Sequence, residues 1–201
     1  AWEFHTYNAG RSAINTFYEV PNQHIKSWGS DSPIRQGSYR ALASTVNVFA
    51  RESQMDIMAD QVKMDPLEFR LKHLQDQRMT DVLKACADAF GWGKTQPANG
   101  TGYGIACGTA KNGYLANCAE VSIDRDSGLV KVVRIVAAFE CGAVVNPTHL
   151  KGQVEGCIIQ GLGGALFESI EFGGGKIYNP NFSSYRVTRF SDLPEVHIVL
   201  V

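Results

Sequence analysis

Residues 146–171 read NPTHLKGQVEGCIIQGLGGALFESIE, and the fold is decided by how this stretch is understood. Asn146 can accept from the free N–H groups of a first helical turn, and Pro147 suits the first helical position, where its missing N–H costs nothing. Leu150, Val154, Ile158, Leu162 and Leu166 then recur at helical spacing. Yet five glycines, at 152, 156, 161, 163 and 164, interrupt the same helix. Each costs about 1 kcal/mol against alanine, so the element carries roughly 5 kcal/mol of poor propensity. Glycine in such a place allows close approach to the backbone, by a neighbouring helix or by a bound cofactor. The residues alone leave both open. Gly161-Leu162-Gly163-Gly164 is no Walker loop, because no Gly-Lys-Ser/Thr follows. It is no dinucleotide fingerprint either, because it lies inside a helix and not after a strand. Gln153, in the first two turns, offers an amide with two donors and an acceptor, suited to a heteroatom-rich ring or a phosphate and equally to solvent.

Upstream, residues 41–62 contain no Pro or Gly, and Leu42, Val46, Phe49, Met55, Met58 and Val62 predict a helix with that stripe inward. Asp65-Pro66-Leu67-Glu68 is a second helix start, with Leu67, Leu71 and Leu74 on one face. A third helix is expected from Thr80, burying Val82, Cys86, Ala89 and Phe90 and ending at Gly91 and Gly93. Strands follow at residues 101–107, 114–124 and 129–139, the last two joined by a hairpin turn at Asp126-Ser127-Gly128. After the glycine-rich helix, Gly173-Gly174-Gly175 makes a turn. Two short strands finish the chain, the last (residues 195–201) reading as buried. Residues 1–38 are read as loop around one extended apolar stretch at 14–20. Helices and strands mix without regular βαβ alternation, so the fold class is α+β, a mixed sheet with packed helices. The helical part occupies about residues 40–93, and the strand and glycine-rich-helix part about 100–201.

Composition narrows the function. At 201 residues, 44% apolar and 19% charged, the chain can bury a core. A formal charge of −1 without a basic run argues against nucleic acid. No apolar run approaches membrane-spanning length. The five cysteines (86, 107, 118, 141, 157) show no CxxC spacing, so neither a disulfide framework nor a zinc motif is expected. The histidines at 5, 24, 73, 149 and 197 offer no i, i+4 pair, so no metal bound by these side chains is expected. Both ends are abrupt and suggest a piece of a longer protein.

Three ordered blocks carry a resemblance. Cys141-Gly142-Ala143-Val144-Val145-Asn146-Pro147, with Gly152-Gln153-Val154-Glu155-Gly156 and Gln160-Gly161-Leu162-Gly163, resembles the large subunit of molybdenum hydroxylases, the xanthine oxidase and aldehyde oxidoreductase family. Glu52-Ser53-Gln54-Met55-Asp56 through Asp65-Pro66-Leu67-Glu68-Phe69-Arg70 resembles a second stretch of that family, and Asn181-Phe182-Ser183-Ser184-Tyr185 a third. Together they cover about residues 34–201. Gly37-Ser38-Tyr39-Arg40 and the Asn-Phe-x-x-Tyr block are most similar to the isoquinoline 1-oxidoreductase beta-subunit branch.

The resemblance implies part of a larger molybdopterin-binding domain. The parent would hydroxylate an N-heterocycle or an aldehyde with water-derived oxygen and pass electrons to an iron–sulfur small subunit. Its cofactor would be molybdenum-molybdopterin, in the cytosine dinucleotide form by the branch resembled. It implies that Tyr39-Arg40-Ala41 matches the aromatic-Arg-small motif beside the metal and that Gln153 contacts the pterin. Glu52, Asp56, Asp65 and Glu68 are expected to be structural, as caps and helix pairs. Ala41 stands where the carbon monoxide dehydrogenases of the superfamily carry a copper-binding cysteine, so that chemistry is not expected. The family's catalytic glutamate sits in a Gly-Glu motif, and no Gly-Glu pair occurs in this sequence. By family order it would lie beyond Val201, so no catalytic residue is expected in this chain, and the piece alone should be inactive and hold the cofactor poorly. The rest of the large subunit would then be an obligatory partner. The rival is a non-catalytic packing or assembly domain whose glycines only let helices approach. Compartment stays open between bacterial cytoplasm and periplasm.

Overall fold

Side-chain caps start three of the α-helices in the computed structural model, which describes residues 1–32 and 37–201. Asp65 accepts from Leu67 N and Glu68 N and opens α2 (Pro66–His73). Asp76 accepts from Arg78 N and Met79 N and opens α3 (Gln77–Phe90), which Gly91 closes in a left-handed cap at φ +82°. Asn146 accepts from His149 N and opens the glycine-rich helix α4 (Pro147–Leu166). The remaining helix, α1 (Ser44–Gln61), has no side-chain cap. It begins three residues later than expected, because Ala41 and Leu42 take left-handed φ values of +66° and +53°. Residues 33–36, where the resemblance begins, lie outside the described residues.

A four-stranded mixed sheet runs β3 (Thr101–Ala110), β4 (Gly113–Ile123), β5 (Val130–Glu140) and β8 (Glu195–Leu200). The first three are antiparallel neighbours, and β8 joins β5 in parallel. The β4–β5 turn is locally encoded. Asp124 Oδ1 accepts from Asp126 N and Ser127 N, and Gly128 supplies φ +71°. Two short strands, β6 (Phe172–Gly173) and β7 (Lys176–Ile177), pair around Gly174 and Gly175. The core lies between α3 and the sheet, where Met79, Val82, Leu83, Cys86 and Phe90 meet Ile105, Cys118 and Val136.

Several expectations are corrected. Residues 1–38 are not merely loop: β1 (Trp2–Tyr7) and β2 (Gln23–Trp28) pair in parallel. That pairing is non-local and leaves no turn signature in the sequence. Ala89 is exposed, and α3 buries Ala87 instead. The terminal strand β8 is a half-buried edge.

The largest correction is α1. Of its expected inward residues Met55 is buried and Met58 packs partly against the core, but Leu42, Val46, Phe49 and Val62 are all half exposed or more, and Asn47, Arg51, Glu52 and Ala59 are buried instead. The polar face is inward because the irregular segment beside it brings carbonyls that need donors. Asn47 Nδ2 donates to Gly10 O and Ser12 O, and Arg51 Nη1 to Ala13 O and Asn15 O. Glu52 is thereby a buried hub and not a cap. It accepts from Arg51 Nε at 3.1 Å, Arg70 Nε at 3.0 Å and the Tyr18 hydroxyl at 2.9 Å. Asp56 accepts from Arg70 Nη1 at 2.6 Å, tying α1 to α2.

Candidate functional site

The glycine-rich helix buries little of itself: Val154 and Gly163 are its buried residues. No atom lies within 4 Å of where a Cβ would stand at Gly152, Gly156 or Gly161. Within the described residues, then, these three glycines face open space and not a helix seam. Gly163 and Gly164 behave differently. A Cβ at Gly163 would collide with the Glu168 carboxylate and come 3.0 Å from Thr188 Oγ1, and one at Gly164 would touch the Tyr39 hydroxyl at 3.5 Å.

Residues 39–41 cross this C-terminal half of α4. Arg40 Nη1 donates to Gln160 Oε1 at 2.9 Å, and Nη2 to Cys157 Sγ at 3.7 Å. The loop closes on itself through Leu42 N to Tyr39 O, at 2.9 Å, and through Thr45 Oγ1 to Arg40 O, at 3.4 Å. A small cleft of about 140 Å³ lies between Tyr39, Arg40 and Ala41 on one side and Cys157, Gln160 and Gly164 on the other. Two successive non-glycine residues at positive φ are costly, and such strain persists where the surroundings fix it, commonly at functional sites.

The structure thus brings Tyr39, Arg40 and Ala41 to α4. Gln153 does not touch them. It is exposed, without a hydrogen-bond partner among the described residues, and stands seven residues before Gln160. Seven residues are nearly two whole turns, so Gln153, Cys157, Gln160 and Gly164 share one stripe of the helix. The stripe is covered by the arginine loop at its C-terminal end and open at Gln153. Gln160 and Cys157 were not singled out from the sequence. The i, i+4, i+7 spacing from Gln153 was the available signal.

The third resembling block folds over the C-terminal end of α4. Asn181 Oδ1 accepts from Ser183 N, and the Tyr185 hydroxyl donates to Glu168 Oε2 at 3.0 Å. Partial burial, then Glu168, then the nearby Tyr39 hold the Tyr185 phenol above its ordinary pKa. Glu168 is accordingly a structural acceptor, and Asn146 is the helix cap. Arg40 is the contrasting group, a cation whose partners among the described residues include no carboxylate.

Known proteins place the chain in a family. The molybdopterin cofactor-binding domain family matches residues 21–194. The beta subunit of isoquinoline 1-oxidoreductase from Brevundimonas diminuta is 32% identical over 187 residues, spanning 92% of this chain and 24% of that protein. A nicotinate dehydrogenase subunit from Pseudomonas putida is 30% identical over 200 residues, 89% of this chain and 17% of its own length. The chain therefore spans about a quarter or less of these curated relatives. The aldehyde oxidoreductase from Desulfovibrio desulfuricans shares the fold, with a TM-score of 0.79 at 12% identity over 94% of this chain and 38% of that one.

Proposed function

The chain belongs to the molybdopterin cofactor-binding domain family, and we propose that it supplies one wall of a molybdenum–pterin site in the large subunit of an oxidoreductase. The reaction is hydroxylation of an N-heterocycle or an aldehyde with oxygen from water. In this reading residues 1–201 are part of one cofactor-binding domain, with its helical part at about 40–93 and its strand and glycine-helix part at about 100–201. The partners are the remainder of the large subunit and an iron–sulfur small subunit, and the pterin carries a cytosine dinucleotide.

The donor set suits such a group. A pterin dinucleotide is flat, rich in ring heteroatoms and anionic through its phosphates. Gly152 and Gly156 on one side of Gln153, and Gly161 on the other beside the arginine-loop cleft, leave room against the helix backbone, and Gln153 presents an unpartnered amide between them. Arg40 crosses the C-terminal end of the same stripe from its loop, its guanidinium anchored by Gln160 and free of carboxylate neutralisation among the described residues. When bound, the cofactor supplies two-electron oxidation chemistry, and the protein holds and orients it. Gln153 reads the pterin edge through paired donor and acceptor contacts. Arg40 places fixed positive charge near the reacting end, where a water-poor site makes it most effective. Tyr39 walls the cleft, and Ala41 keeps the turn small. No proton transfer is assigned to this chain.

The observation that carries the reading is the 2.9 Å contact of Arg40 with Gln160 on the stripe of α4 that also presents Gln153. Metal analysis tests it. In the full-length large subunit, Gln153→Leu should lower molybdenum and pterin per polypeptide severalfold, whereas the 201-residue chain alone should hold little molybdenum and show no turnover. Undiminished cofactor in Gln153→Leu, or stoichiometric molybdenum with turnover in the chain alone, would overturn it.

A further inference from the structure

Far from α4, the β1–β2 ladder assembles three donors that the linear sequence keeps apart. Glu3 and His5 point to the same face of β1, as residues two apart on a strand do. His24 lies directly opposite Glu3 on β2. Glu3 Oε1 is 3.3 Å from His5 Nε2 and 3.4 Å from His24 Nδ1. The two imidazole rings stand edge to face, 5.2 Å apart at 80°. All three ligand atoms lie within 4.8 Å of one another, and all three residues are exposed.

We propose that Glu3, His5 and His24 form a surface site for a first-row divalent cation, with zinc as the best-matched ion. The site is independent of the pterin reading. Two imidazoles and one carboxylate are an established zinc donor set that leaves a fourth position for water. The spacing is right as well. Tetrahedral zinc with donor bonds of about 2.0–2.1 Å separates its donors by about 3.3 Å, which is the separation of Glu3 Oε1 from both nitrogens. Closing the third edge needs only side-chain rotation, because both strands are fixed by their ladder. Hydrogen bonding alone explains one Glu–His contact, but it does not require two imidazole nitrogens to converge on one oxygen. Among the described residues the one cation in register on this face, Lys26 opposite His5, has its ammonium 5.4 Å from the Trp28 ring centroid, drawn along the strand toward that ring. A hard, oxygen-seeking ion such as magnesium is a poor match for two imidazoles.

Zinc and cobalt titrations of the 201-residue chain, followed by calorimetry and by the cobalt absorption spectrum, test the site. One equivalent should bind, with the intense visible bands of four-coordinate cobalt. His24→Ala and Glu3→Gln should each weaken binding by at least roughly tenfold, because loss of even an outer contact costs that much. Both residues are exposed, so folding is not at risk. His149→Ala, on another element, should leave binding unchanged. Cys141 and Cys157 are exposed thiols that also attract zinc. A thiolate charge-transfer band that vanishes in Cys141→Ser or Cys157→Ser would assign the ion there and overturn the proposal. So would the absence of binding, or binding indifferent to His24 and Glu3.

Discussion

Cys107 is the residue whose surroundings make the clearest demand on pH. Its thiol is buried beside Tyr18, 3.2 Å from the hydroxyl, and its own N–H donates to Glu52. Burial and then the Glu52 charge push the thiol up to about 12. The unfolded thiol ionises near 8.5. Between those values the unfolded chain loses a proton that the folded chain keeps, so stability is full below about 8.5 and falls as pH rises. One such group lowers stability by about 1.4 kcal/mol per pH unit, or about 2 kcal/mol by pH 10. The Cys86–Cys118 hydrogen bond lowers the first thiol and raises the second, so that pair adds a pH dependence of its own. The difference between variants is therefore what matters. Urea unfolding at pH 8 and pH 10 should show a shallower loss for Cys107→Ala than for the parent chain, by about one thiol's share. An equally steep loss would mean that Cys107 titrates normally in the fold.

At the scale of elements, α4 holds two kinds of glycine, and they should answer substitution with opposite signs. Gly152, Gly156 and Gly161 have nothing within 4 Å of a would-be Cβ. Alanine at each should therefore stabilise the isolated chain by about 1 kcal/mol through helix propensity. Gly163→Ala should destabilise, since its Cβ meets Thr188 Oγ1 at 3.0 Å and displaces Glu168, which Tyr185 holds in place. Thermal unfolding of the four single variants checks this, and a uniform response would show that the open face is not open. The caps of α2 and α4 and the left-handed Gly91 were legible in the sequence because each is decided within four residues, whereas α3 starts at Gln77 under an Asp76 cap, three residues before the expected Thr80. The inward face of α1 was not. Its Asn47 and Arg51 are buried only because the carbonyls of residues 10–15, far away in sequence, need donors. The site divides in the same way. Gln153 could be singled out on its own helix, whereas the partner of Arg40 lies 120 residues away and appears only when the chain is folded.

The molecule as a whole exposes more surface than its mass warrants. A compact monomer of 22.0 kDa exposes about 9,300 Å², and this chain exposes 12819 Å². The excess, about 3,500 Å², is the size of an obligate interface rather than of a transient one. It is also apolar where it matters: Phe49, Phe182 and Phe190 are 73%, 91% and 95% exposed. Phe49 and Val46 project from α1 away from its buried face, whereas Met55 of the same expected stripe is buried, so the pattern divided between two faces. Apolar surface left uncovered on an isolated chain favours self-association. The 201-residue chain should accordingly bind the hydrophobic dye ANS in its folded state and show a mass by light scattering that rises with concentration. Replacing Phe49 and Phe182 by Ser should reduce both signals without loss of stability, because neither ring is packed. A dye-silent, monodisperse monomer at high concentration would mean that the exposed surface is tolerated in water, and would remove the physical reason for expecting an obligate partner.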